Sequence, residues 1–129
     1  MAMSQMRSPL GRVLGLGSAK EGVEHWWRQR ITAITLVPLT LWLVVGVIGL
    51  VGADRAALVV WLHNPMSAVL MIVLLAATFY HAALGLQVVI EDYIHGEAMR
   101  LTALMLVYGL CILLALRGIV AVLQLALGA

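Results

Sequence analysis

Three long apolar stretches restrict what this chain can fold into. They cover residues 31–51, 66–90 and about 99–125, and crossing a lipid bilayer as a helix takes roughly 20 residues. Hydrophobic residues make up 64% of the chain and charged residues 11%, whereas soluble domains have about half and about a quarter. Because backbone polar groups in lipid must pair within their own segment, we predict an all-α membrane protein with three transmembrane helices.

Basic residues are distributed unevenly around these stretches. Five of them precede the first stretch, whereas the loop between the first and second contains only Arg55. Since basic residues accumulate on the cytoplasmic side, we predict a cytoplasmic N-terminus and a C-terminus on the far side of the membrane. Residues 1–30 then form a glycine-rich, basic arm at the cytoplasmic surface, and residues 31–129 form the transmembrane domain. The arm has no apolar run typical of a secretory signal peptide.

The composition argues against several classes of function. A net charge of +2 is too small and too dispersed to favour nucleic-acid binding. The run GLGSAKEG, residues 15–22, lacks the strand-then-helix context of a phosphate-binding loop. The single cysteine, Cys111, excludes a disulfide framework and an iron–sulfur cluster bound by this chain alone, since such clusters take about four cysteines.

One histidine stands where a transmembrane helix should meet only hydrocarbon. His81 is nine residues before the end of the second stretch, about 13 Å along a helix. An ionisable residue at that depth marks a functional site by default, and an imidazole hydrogen-bonded to a neighbouring helix is the structural alternative. Gly85 lies one turn away on the same face and leaves space beside the ring. A neutral imidazole beside such space suits haem iron, whereas zinc would need further ligands within reach.

Polar residues follow His81 at the end of the same stretch. Asp92 and Tyr93 place a carboxylate beside a phenol, a pair that can hydrogen-bond a quinone headgroup and relay protons to it. A tyrosine of the interfacial aromatic belt is the competing interpretation. A small transporter using His81 and Asp92 as a proton relay is less favoured, because the predicted spans contain no other acid.

These residues together resemble a known family. The segment HAALGLQVVIEDYIHG (residues 81–96), the segment RITAITL (residues 30–36) and the segment AMRL (residues 98–101) resemble the smaller hydrophobic membrane anchor of succinate dehydrogenase, respiratory complex II. The arm is similar to that of alphaproteobacterial members. The resemblance implies a bacterial inner membrane, embedded in lipid, and three protein partners. These are the larger cytochrome b anchor subunit, an iron–sulfur subunit and a flavoprotein subunit.

The resemblance also implies a haem site shared between the two anchor subunits. His81 would be this chain's axial ligand to haem b, the other histidine coming from the larger anchor, so that the two chains form one haem-binding helix bundle. Arg30 matches an arginine that pairs with a haem propionate. Relatives often have a histidine near the propionates, and His25 or Glu24 stands in that part of this sequence.

The resemblance further implies a ubiquinone reduction site. Tyr93 matches the tyrosine that hydrogen-bonds ubiquinone, and Asp92 matches its neighbouring acid. The function implied is a non-catalytic-core subunit that anchors succinate:ubiquinone oxidoreductase. It would serve the tricarboxylic acid cycle and aerobic electron transport. A fumarate reductase anchor running the reverse reaction and a haem-free structural anchor are the alternatives.

Overall fold

The structure is predominantly helical over the residues it describes, which are residue 13 and residues 20–128 of this computed structural model. Residues 20–128 form four helices and no strand: α1 (Lys20–Gly49), α2 (Arg55–His63), α3 (Pro65–Tyr93) and α4 (Glu97–Leu127). Three of these are long and apolar enough to cross a membrane, over Val23–Gly49, Pro65–Tyr93 and Glu97–Leu127. The predicted all-α class with three transmembrane helices is therefore confirmed.

Helix α1 begins earlier than the first apolar stretch. Its first eleven positions, residues 20–30, belong to the segment that the sequence assigns to the arm. Glu24 and Arg28 form an ion pair one turn apart, which is the spacing at which opposite charges support a helix. The charged turns therefore continue the membrane helix without a break. The remainder of the predicted arm lies outside the described residues.

Helix α2 is a short element in the loop between the first two spans, and the sequence interpretation did not include it. Asp54 caps its first turn by accepting a hydrogen bond from the backbone N–H of Ala57 at 3.0 Å. Such a cap satisfies a backbone donor that would otherwise lack a partner. Leu62, near the end of α2, is 4% exposed. The loop therefore folds back onto the spans.

Helix α3 is the central element and contacts each of the other helices. At its start, Asn64 accepts a hydrogen bond from the Met66 N–H at 2.9 Å, and Pro65 is the first helical residue. Against α4, Gly118 lies so close to Leu75 that an added Cβ would be 3.1 Å from Cδ1 of that leucine. Small residues permit this approach.

The two ends of the bundle are named after one residue that lies at each. The His63 end comprises the end of α1, helix α2, the start of α3 and the end of α4. Its core consists of Leu62, Ala68 and Val122, surrounded by partly buried apolar side chains. Trp61 stacks on Trp42 with ring centroids 5.2 Å apart. The His63 end is thus closed by apolar packing.

The Tyr93 end comprises the start of α1, the end of α3 and the start of α4. Its aromatic side chains are exposed: Tyr93 is 79% exposed, and Trp26 and Trp27 are each at least half exposed. Between the two ends, α1 contains Pro38. Proline has no backbone N–H, so one hydrogen bond of the helical ladder is missing at that point.

Candidate functional site

His81 lies near the middle of α3 and contacts α1 through its ring. Its Nδ1 atom is 2.9 Å from Oγ1 of Thr32, and both side chains are partly buried. His81 is twelve residues before Tyr93, the last residue of α3, which is about 18 Å along the helix axis. The imidazole predicted to sit at mid-span is therefore joined to a second helix by a hydrogen bond.

The hydrogen bonds of Thr32 are compatible with a proton on His81 Nδ1. Thr32 Oγ1 also lies 2.9 Å from the backbone oxygen of Arg28 and 3.0 Å from that of Gln29. When the single hydroxyl proton is donated to one of these carbonyl oxygens, Thr32 accepts from His81. The ring is then protonated on Nδ1, which leaves the Nε2 lone pair free to bind a metal.

The face of α1 that meets α3 is polar. Three polar residues follow one another on it at helical spacing: His25, Gln29 and Thr32. The Gln29 amide nitrogen lies 3.6 Å from the position that a Cβ on Gly85 would take. The Gln29 side chain therefore lies beside Gly85, in the space that the sequence interpretation left for a ligand. Among the described residues, His25 Nε2 and Gln29 Oε1 are buried without a hydrogen-bond partner.

Arg30 lies on a different face of α1 from Thr32. It precedes Thr32 by two residues, which places the two side chains about 160° apart around the helix. The Arg30 guanidinium carbon lies 5.4 Å from the centre of the Trp26 ring, within the range of a cation–π interaction. Arg30 and His81 are thus not brought together within this chain, and Arg30 remains exposed at the Tyr93 end.

Asp92 and Tyr93 lie at the last turn of α3, and both are exposed. Asp92 falls within about 20° of His81 around the helix axis, whereas Tyr93 is about 120° away. The phenol and the carboxylate therefore project in different directions from the same turn. Both are available to a ligand or to another protein chain at this end.

A chain of hydrogen bonds that the sequence interpretation missed links α3 to α4. The Tyr108 hydroxyl donates to Gln87 Oε1 at 2.6 Å, and Gln87 Nε2 donates to Glu91 Oε1 at 2.7 Å. Beside it lies a cavity of about 430 Å³, whose lining includes His25 and Arg28 of α1. Gln87 and Glu91 are one turn apart, and this spacing in the sequence indicates that their side chains can pair on one helix. Their connection to Tyr108 could not be predicted, because it depends on the packing of two helices.

The geometry defines a class of protein. It is a multi-pass helical membrane protein whose central span presents one imidazole with a free nitrogen and ends in an exposed carboxylate and phenol. Over the part of the chain that the structure describes, no group of three or more His, Cys, Asp or Glu side chains could hold a metal ion. Within these residues, His81 is therefore not part of a multi-residue metal site.

Comparison with known proteins gives the family. The family described as "Succinate dehydrogenase/Fumarate reductase transmembrane subunit" matches residues 4–116. A succinate dehydrogenase hydrophobic membrane anchor subunit of Rickettsia bellii is 38% identical over 116 residues, covering 90% of this chain and 93% of the relative. That of Rickettsia conorii is 36% identical over 81% of this chain and 84% of the relative. The membrane anchor subunit of Reclinomonas americana is 32% identical over 68% and 76%.

The chain belongs to the family of succinate dehydrogenase/fumarate reductase transmembrane subunits. The relatives named above are anchor subunits of succinate dehydrogenase, which confirms the resemblance noted in the sequence.

Proposed function

We propose that this chain, as a succinate dehydrogenase membrane anchor, supplies one axial ligand to haem b and part of a ubiquinone reduction site. It does so together with a larger anchor subunit, an iron–sulfur subunit and a flavoprotein subunit. The observation that carries the haem assignment is the hydrogen bond between His81 Nδ1 and Thr32. With Thr32 as the acceptor, this bond would keep the proton on Nδ1 and leave Nε2 for iron.

The residues around His81 fit this role. The ring lies at mid-span, where a charged imidazole would be costly and a neutral one can serve as a ligand. Haem b, when bound, supplies one-electron redox chemistry within the membrane. Arg30, exposed on α1, would form charge-assisted hydrogen bonds with a propionate, and the buried, unpaired His25 Nε2 is a second candidate for that contact.

The orientation we propose places the Tyr93 end at the cytoplasmic face of a bacterial inner membrane. Arg28, Arg30 and Arg100 lie at this end, whereas Arg55 begins α2 at the other. Basic residues favour the cytoplasmic side. The exposed Tyr93 then faces the compartment in which a soluble iron–sulfur partner would deliver electrons.

At the quinone site, the Tyr93 hydroxyl would donate a hydrogen bond to a carbonyl oxygen of ubiquinone. Reduction to the quinol takes two electrons, which arrive through the iron–sulfur partner, and two protons, which come from the cytoplasmic side. The Asp92 carboxylate, adjacent to Tyr93, would hold and pass on one of these protons. Tyr93 is 79% exposed and so is accessible to the quinone.

The experiment that tests the haem assignment replaces His81 with alanine in the complete complex. We expect His81→Ala to remove or displace the b-type band of the reduced-minus-oxidised spectrum and to lower the haem content per complex. His95→Ala is the matched control, because His95 is exposed and lies after the end of α3. We expect it to leave both readouts unchanged.

A haem-free structural anchor is the second candidate, and the same hydrogen bond favours it. An interhelical contact between His81 and Thr32 could serve only to hold α1 against α3. If the wild-type complex shows no b-type band, the haem-free anchor is supported. If the band is present and persists undiminished in His81→Ala, the ligand role is refuted and only the interhelical contact of His81 remains.

A further inference from the structure

We propose that Thr32 is a positioning residue for the His81 imidazole, fixing its protonated nitrogen and its rotation. This inference rests on the proposed function, because Thr32 would act on haem only through its ligand. The two residues are 49 positions apart in the sequence, and their side chains meet across the contact between α1 and α3 at 2.9 Å. Thr32 itself would touch neither haem nor quinone.

Two acceptors on its own helix lie within reach of the Thr32 hydroxyl. They are the backbone oxygens of Arg28 and Gln29, at 2.9 and 3.0 Å. The β-branched side chain of threonine also has few accessible rotamers in a helix. With its proton donated to one of these oxygens, Oγ1 keeps a lone pair that can accept from His81 Nδ1.

A hydrogen bond at Nδ1 changes what Nε2 offers to a metal. An imidazole that donates from its outer nitrogen is a more basic ligand, and its ring cannot turn freely about the metal bond. Greater basicity stabilises ferric over ferrous iron and lowers the midpoint potential of the haem. Loss of the Thr32 acceptor should therefore raise that potential.

Two other threonines show that the contact is specific to Thr32. Thr35 and Thr102 also donate to the backbone oxygen four residues earlier, at 2.9 and 2.8 Å. Within residues 20–128, neither forms a hydrogen bond with another side chain. Back-bonding to the helix is thus shared by all three, and the histidine contact distinguishes Thr32. Thr35, one turn further along α1, is the matched control.

The test measures haem properties of the complete complex with Thr32→Val and Thr35→Val. We expect Thr32→Val to raise the haem midpoint potential by up to about 59 mV. For a one-electron couple, this corresponds to an increase of up to about tenfold in the equilibrium constant for reduction of ferric to ferrous haem. We also expect faster loss of haem from the solubilised complex and an altered low-spin ferric signal. Thr35→Val should match the wild type, and Thr32→Ser, which keeps the hydroxyl, should restore most of the difference.

The outcomes separate this inference from the proposed function. If Thr32→Val matches Thr35→Val in potential, haem retention and spectrum while His81→Ala lacks haem, the positioning role is overturned and the ligand role stands. If His81→Ala keeps the normal haem spectrum, both are overturned. Thr32→Ala is measured in parallel as a second variant that lacks the hydroxyl, and it replaces Thr32→Val in the comparison where the valine variant fails to assemble.

Discussion

The two ends of this bundle are held together by different kinds of contact. The His63 end is closed by the apolar side chains of Leu62, Ala68 and Val122. The half toward Tyr93 also buries apolar side chains, with Ala83 and Leu84 each 2% exposed. In addition, single hydrogen bonds join its helices, from His81 to Thr32 and from Tyr108 to Gln87. The His63 end is thus closed by apolar packing, whereas the other half combines apolar packing with a few directed polar contacts.

The physics of the bilayer explains why this difference matters. Inside a membrane, apolar side chains gain little by leaving lipid for one another, so helix association depends on close packing and on interhelical hydrogen bonds. The short helix α2 is not one of the spans and adds a buried leucine at the His63 end. The Tyr93 end has no such cover within residues 20–128, and Asp92 and Tyr93 are exposed there. Under the proposed orientation, this is the end at which the other subunits would bind.

The largest effect that tests this comparison is expected at Leu62. Leu62→Ala removes a side chain that is 4% exposed and leaves a cavity, which costs about 2–5 kcal/mol at buried leucines. We expect lower thermal stability of the purified complex, with the haem spectrum of the intact fraction unchanged. Leu58→Ala in the same helix removes the same atoms from a position that is 38% exposed. Equal losses of stability in the two variants would show that the His63 end has no closed core.

A smaller effect, on activity rather than stability, is expected at Tyr93. Tyr93→Phe removes only the exposed hydroxyl, so quinone reductase activity should fall at least about tenfold, equivalent to about 1.4 kcal/mol in the activation barrier. Haem content and succinate oxidation with a soluble artificial acceptor should be unaffected. Tyr80→Phe is the control, since Tyr80 lies more than three turns deeper in α3. Unaltered quinone turnover in Tyr93→Phe would show that the Tyr93 hydroxyl is not part of the quinone site.

The smallest effect is expected at Tyr108. Tyr108→Phe removes the donor to Gln87, and interhelical hydrogen bonds of this kind contribute about 0.6 kcal/mol in membrane proteins. The complex should lose stability slightly, by less than in Leu62→Ala, when unfolding is followed in mixed detergent. A loss of stability as large as that of Leu62→Ala would mean that this single hydrogen bond contributes as much to stability as the buried leucine at the His63 end.

Much of the fold follows from the sequence, because hydropathy is a property of contiguous residues. The three spans, the cap at Asn64 and Pro65, and the mid-span position of His81 all depend on local sequence. Helix α2 was missed, since nine residues of moderate hydropathy between two spans resemble a loop. The Asp54 cap, three residues before Ala57, was the signal that identifies it.

The site was only partly predictable, because its contacts join distant parts of the chain. His81 stands out by itself, whereas Thr32 is an ordinary residue of an apolar run until the packing of α1 on α3 brings it to the ring. The spacing of His25, Gln29 and Thr32 indicates a polar helix face, but not which helix it meets. The proposed roles of Arg30, Asp92 and Tyr93 involve groups outside this chain.

Pro38 divides α1 between the two ends, six residues after Thr32 and eight before Gly46. An added Cβ on Gly46 would lie 2.6 Å from the Trp61 ring, so the half of α1 after the proline contacts α2 through this side chain. The missing hydrogen bond at the proline makes the helix less stiff at that point. We therefore expect the angle between the two halves of α1 to change more readily than the angle within either half.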